Sequence, residues 1–211
     1  MNIYAQNSIT TPHNNILTDS TIVIQINPSI AKLKFDFIVS AVNSTNEFSD
    51  GITKYEVNIY SLSTDSLIQS FSETAYIFED DYSFEFTDIN FDSYLDISLV
   101  NSISANGMNT GNSFWIYNKH SNNFSLNYEF SKLSNPDVDD DSKKIYTSNF
   151  STNSDEFEVY VVENDKLVMV ERSEIERYID ENDDKYYRKI KIYKLVDGDM
   201  KLVEEIKEPM E

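Results

Sequence analysis

The chain has 211 residues and a formal net charge of −20, with a pI near 4.3. It is long enough for one large β domain or two small ones, and too acidic to read nucleic acid, which needs cations to replace the counterions along phosphate. Thirteen Phe, fourteen Tyr and one Trp exclude an acidic disordered tail, and the absence of Cys removes disulfides, thiolate nucleophiles and Cys-ligated zinc together.

Residues 1–20 read as an N-terminal tail or a signal remnant. Ala5-Gln6 resembles the end of an export signal whose upstream part is missing, and an ordinary cytosolic N-terminus is the competing reading. The first places the protein in the periplasm or another extracytoplasmic compartment; the second leaves it in the cytoplasm. No apolar run approaches the roughly 18 to 20 residues of a membrane span.

From residue 21 onward strand signals dominate. Thr21-Ile22-Val23-Ile24-Gln25-Ile26 and Leu33-Lys34-Phe35-Asp36-Phe37-Ile38-Val39 alternate at period two with β-branched or aromatic residues. Four hairpins follow, each with a polar turn: 55–60 with 66–68, 114–117 with 124–126, 157–162 with 166–168, and 190–195 with 200–203. Glu171–Asp180 carries isoleucines at i, i+4, but a strand is expected there because Tyr186–Leu195 needs a pairing partner. Only four Gly and four Pro punctuate the chain, so Asn, Asp and Ser write the turns with their own side chains. The expectation is a single mainly β domain over 21–211. Its antiparallel hairpins are arranged as a small β-propeller-like domain, with a β-sandwich as the alternative.

The most specific local signal is Asp88-Ile89-Asn90-Phe91-Asp92-Ser93-Tyr94-Leu95-Asp96. Asp88, Asn90, Asp92 and Asp96 fall at positions 1, 3, 5 and 9, the spacing by which a tight loop turns oxygens around a hard cation, and Tyr94 would add its backbone carbonyl. Oxygen-only ligation selects Ca²⁺, here in a structural role. An EF-hand does not fit: position 12 is Leu99 rather than Glu, position 6 is Ser93 rather than Gly, and the flanks Phe84-Glu85-Phe86 and Ile97-Ser98-Leu99-Val100 look like strands. A solvated Asx-rich turn is the plainer alternative.

A strand, then Asp-x-Asn-x-Asp-x-x-x-Asp, then a strand resembles the calcium loops of FG-GAP-type β-propeller repeats. The resemblance continues through Asn106-Gly107-Met108-Asn109-Thr110-Gly111-Asn112, Phe114-Trp115-Ile116-Tyr117-Asn118, Phe124, and Phe130-Ser131-Lys132-Leu133-Ser134-Asn135-Pro136. It ends with Asp141, Lys143-Lys144-Ile145 and Ser148, and so covers roughly Lys54 to Ser148. In this it looks like a bacterial cell-envelope family with a propeller-like fold. The resemblance implies binding and inhibition of lysozyme-like peptidoglycan hydrolases, as immunity proteins against effectors injected by secretion systems. The Ser-Gly-x-x-Tyr signature of the periplasmic lysozyme inhibitors is absent, so no inhibitory residue is carried over.

An enzyme is not expected. No Gly-x-Ser-x-Gly elbow occurs, and of the two histidines His13 lies in the polar tail and His120 in a hairpin turn. A binding protein accords better with the charge, because an acidic surface speeds encounter with a basic peptidoglycan hydrolase or toxin. Interface candidates are Met108, Asn109, Tyr178, Tyr186 and Tyr187, whereas strand alternation places Trp115 in the core. A calcium-dependent adhesion or carbohydrate-binding module is the alternative function.

Overall fold

The structure is a computed structural model that describes residues 16–41, 52–77, 82–105, 107–180 and 183–210. Residues 1–15, with His13 and the Ala5-Gln6 pair, and Asn106 lie outside the described residues. Fourteen strands are described: β1 (Ile16–Ile24), β2 (Leu33–Ala41), β3 (Ile52–Ser61), β4 (Leu67–Tyr76), β5 (Phe84–Thr87), β6 (Asp96–Ile103), β7 (Thr110–Asn118), β8 (Asn123–Asn127), β9 (Asp137–Asp139), β10 (Lys144–Phe150), β11 (Ser154–Glu163), β12 (Lys166–Asp180), β13 (Lys185–Val196) and β14 (Asp199–Pro209). The mainly β, antiparallel class is as expected, and so are the four hairpins. Glu171–Asp180 is strand, as its need for a partner predicts.

Where the sequence leads one to expect a single domain from residue 21, the chain divides into two compact units. One runs through the described residues to Ile103 and takes in Thr110–Lys132; the other joins Ser104–Asn109 to the residues from Leu133 onward. The first strand also begins at Ile16, inside the expected tail.

In the first unit β1 to β4 form one antiparallel meander and β5 to β8 a second, the four-stranded element from which propeller blades are made. The two are joined by one parallel register pair, Tyr76 with Ser102. Period-two alternation does the rest. Phe35, Phe37 and Val39 of β2 and Tyr55, Val57 and Ile59 of β3 point inward and are essentially free of solvent. Against them pack Phe84 and Phe86 of β5, Ile97 and Leu99 of β6, Tyr117 and Phe124. Phe37 stacks on Phe84 at 3.8 Å between centroids, Phe35 meets Phe86 edge-on at 4.9 Å, and Phe71 stacks on Trp115 at 3.7 Å. The meanders thus face each other across an aromatic layer, a two-layer arrangement.

The second unit is a six-stranded antiparallel meander in the order β14-β13-β12-β11-β10-β9. Two of its hairpins close on two-residue turns, Asn164-Asp165 and Asp197-Gly198, with all four φ angles positive. Those turns match the twist of the flanking strands and require residues that tolerate left-handed backbone. Among the described residues, β12, β13 and β14 contain no fully buried side chain.

The aromatic layer should dominate stability. Phe37→Ala is expected to lower the unfolding free energy by about 3–5 kcal/mol, through lost transfer energy and the cavity left against Phe84 and Phe86. Tyr76→Ala, at a side chain 69 % exposed, should change it by less than about 0.5 kcal/mol. Equilibrium denaturant unfolding of the two variants checks this.

Candidate functional site

The acidic loop spans the gap between β5 and β6, flanked by strands as its sequence predicts. Its carboxylates close the turn on its own amides. Asp88 accepts from the backbone N–H of Asp92 at 2.9 Å and of Ser93 at 2.8 Å, one on each oxygen, and Asp92 accepts from Tyr94 N–H at 3.0 Å. Asn90 Oδ1 also accepts from Asp92 N–H at 3.2 Å. Such Asx turns need backbone that L-residues adopt reluctantly: φ is 61° at Phe91 and 73° at Ser93. The missing Gly at position 6 is therefore a real strain, since Ser93 holds the conformation that Gly would take freely. Two contacts from the β1–β2 connection brace it: Asn27 Nδ2 donates to the Ser93 carbonyl at 2.6 Å, and Leu95 N–H donates to the Ile26 carbonyl at 2.9 Å.

Asp96 differs from the other three. It is completely buried, and its two oxygens accept from Tyr117 N–H on β7 at 2.8 Å and Ile89 N–H at 3.3 Å. Burial pushes its carboxyl up to about 8; the Tyr117 amide opposes this, while the charges of Asp92 and Asp88 add to it. The Tyr94 ring stacks on Tyr117 at 5.4 Å.

The donor chemistry of Asp88, Asn90, Asp92 and Asp96 suits a hard divalent cation. Each carboxylate oxygen bonded to an amide keeps a second lone pair, so amide closure and metal binding are compatible. Among the described residues, however, no three His, Cys, Asp or Glu side chains converge into a group able to hold a metal ion. Spacing gathers these candidate side chains on one turn; side-chain packing does not bring them to a common point.

The interface candidates divide. Met108 is 47 % exposed, and its backbone carbonyl accepts from Asn135 Nδ2 at 3.0 Å. The Asn109 carboxamide is committed inside the fold: Oδ1 accepts from Phe150 N–H and Nδ2 donates to the Phe150 carbonyl, both at 2.8 Å. Tyr178 and Tyr187 stack across β12 and β13 with centroids 6.1 Å apart, the Lys207 ammonium lies over both rings, and Tyr187 donates to Asp183 at 2.7 Å. Tyr186 is 61 % exposed. Trp115 packs against the core and donates to Glu73 at 3.2 Å, in keeping with its strand position, and His120 is exposed in its turn.

Three amide side chains escaped sequence reasoning: Asn27, Gln69 and Asn135. Gln69 accepts from Phe124 N–H and donates to the Phe124 carbonyl, at 2.8 and 2.7 Å. Nothing in the sequence separates these from the many Asn that form turns.

No protein family model matches the chain, and no curated protein matches it. Among solved structures it is similar to one described as a Xanthomonas type IV secretion system related protein. The TM-score is 0.55 and the identity 16 %, over 89 % of this chain and 99 % of that one. At that identity the likeness is one of fold, and it extends across both units. No helix is long and apolar enough to cross a membrane among the described residues.

Asp96→Ala would leave the amides of Ile89 and Tyr117 buried without acceptors. At about 1–3 kcal/mol for each of the two unsatisfied groups, the expected loss is about 2–6 kcal/mol. Asp92→Ala, at a less buried position, should cost about 1 kcal/mol or less in calcium-free buffer. Urea unfolding of both proteins with chelator present measures the difference.

Proposed function

We propose that this chain is an extracytoplasmic, calcium-binding inhibitor that blocks a basic lysozyme-like peptidoglycan hydrolase, in the manner of an immunity protein against a secreted effector. The observation that carries the reading is the fold likeness over nearly the whole chain to a protein described as related to a type IV secretion system. Two independent features support it. The loop spacing Asp-x-Asn-x-Asp-x-x-x-Asp between strands resembles that of the inhibitor family, and the charge of −20 suits a basic target whose own substrate is anionic. The chain acts by binding rather than by catalysis.

In this reading Asp88, Asn90, Asp92, the Tyr94 carbonyl and Asp96 hold Ca²⁺. The ion supplies charge neutralisation for three crowded carboxylates, and the chain's own residues do the positioning. Asn27 and Ile26 fix the loop against the β1–β2 connection, and Tyr117 fixes Asp96 against β7. The ion is structural, so its removal loosens the link between β5 and β6 rather than a reacting centre.

Calcium at about 100 times its Kd should stabilise folding by about 2.7 kcal/mol, and Asp92→Ala should abolish that gain. A melting temperature indifferent to both calcium and chelator would remove the metal from the proposal.

Inhibition is checked by turbidity assay against the peptidoglycan hydrolase encoded beside the gene, or a panel of basic lysozyme-type enzymes. The chain should stop lysis without degrading wall itself. Association should slow as salt rises, because rim charges act over a Debye length of about 8 Å at physiological ionic strength, while dissociation changes less. Wall degradation by this chain alone, or failure to bind every enzyme tested, would overturn the reading.

A further inference from the structure

The far end of the second unit's sheet presents two unlike faces. On one, charged and aromatic groups pair with each other: Tyr178 stacks on Tyr187, Lys207 lies over both and pairs with Asp180, and Asp183 accepts from Tyr187. On the other, period-two alternation turns a different set outward. Ile179 stands opposite Tyr186, and Met210 N–H donates to the Tyr186 carbonyl at 2.9 Å, so three adjacent chain segments place Ile179, Tyr186 and Met210 in one row. Their exposures are 48, 61 and 38 %.

The next row inward holds Arg177 and Arg188, ion-paired with Asp155 and Glu208. Beyond it Ile175, Ile190 and Ile206 form a second apolar row, with Ile206 36 % exposed. Apolar rows repeated on three neighbouring segments, none of them fully buried, are an accessible hydrophobic surface of the kind that marks association.

The chemistry of the occupant follows from charge. The cations on this face are matched by carboxylates of the chain itself, whereas the turn beside the row exposes Asp183 and Asp184 and the whole chain carries −20. A partner that covers the row therefore meets an acidic rim, and must itself be basic around an apolar groove. We infer that the row Ile179–Tyr186–Met210, with the acidic turn at Asp183 and Asp184, is the docking surface for a basic protein. This rests on the inhibitor reading and narrows it: of the three tyrosines at this end, Tyr186 is the anchor, while Tyr178 and Tyr187 stiffen the opposite face.

The test measures binding kinetics of the full chain against a panel of basic lysozyme-type peptidoglycan hydrolases, with cytochrome c as a cationic protein that is no hydrolase. The double variant Ile179→Ala, Tyr186→Ala should bind its hydrolase at least about tenfold more weakly, chiefly through faster dissociation, with its melting temperature unchanged. Lys189→Ala, on the opposite face, should bind as the parent does. Undiminished binding by the double variant would overturn this surface and leave the inhibitor reading standing. Equal binding of cytochrome c would also overturn it, because charge alone would then account for association. No binding by the parent chain to any hydrolase would overturn both.

Discussion

The first unit depends on one contact, the aromatic layer in which Phe35 and Phe37 meet Phe84 and Phe86. Backbone hydrogen bonding holds each four-stranded meander together internally, but a single registered pair, Tyr76 with Ser102, links the two. A meander with one bare apolar face is not stable in water, so burial of these rings is what makes a unit out of the two meanders. The stacked and edge-on geometries add to the area they bury.

That layer also fixes the acidic loop. β5 carries Phe84 and Phe86 into the core and leads directly into Asp88, while β6 begins at Asp96, whose buried carboxyl is bonded to β7. The two ends of the turn are therefore held by packing before any cation is considered. The middle, with its left-handed Phe91 and Ser93, is held by Asn27.

The β class, the four hairpins and the strand flanks of the loop were legible because each depends on period-two alternation and turn chemistry, which are local. Asn164-Asp165 and Asp197-Gly198 announce their turns outright. The division into two units was not legible, since Ser104–Asn109 joins the second unit while both its neighbouring strands belong to the first. Such an exchange depends on long-range partners, here Phe150 and Asn135, that carry no periodic signal. The same holds for the interface candidates. Tyr178, Tyr186 and Tyr187 look alike in sequence, and strand register alone sends one to the opposite face from the other two. In the loop, spacing brought Asp88, Asn90, Asp92 and Asp96 to one turn, but their carboxylate oxygens bond backbone amides rather than converging on one point.

Two carboxamides, Gln69 and Asn109, each grip one residue of a strand through both its N–H and its carbonyl, as a neighbouring strand would. Gln69 does so at Phe124 on β8, and Asn109 at Phe150, beyond the reach of the three-residue β9. A carboxamide can do this because it donates and accepts at once. Hydrolytic loss of ammonia from either would leave a carboxylate, which still accepts from the N–H but repels the carbonyl oxygen. The slow chemical ageing of one side chain would then uncover a strand edge, and with it a template for unwanted pairing between molecules.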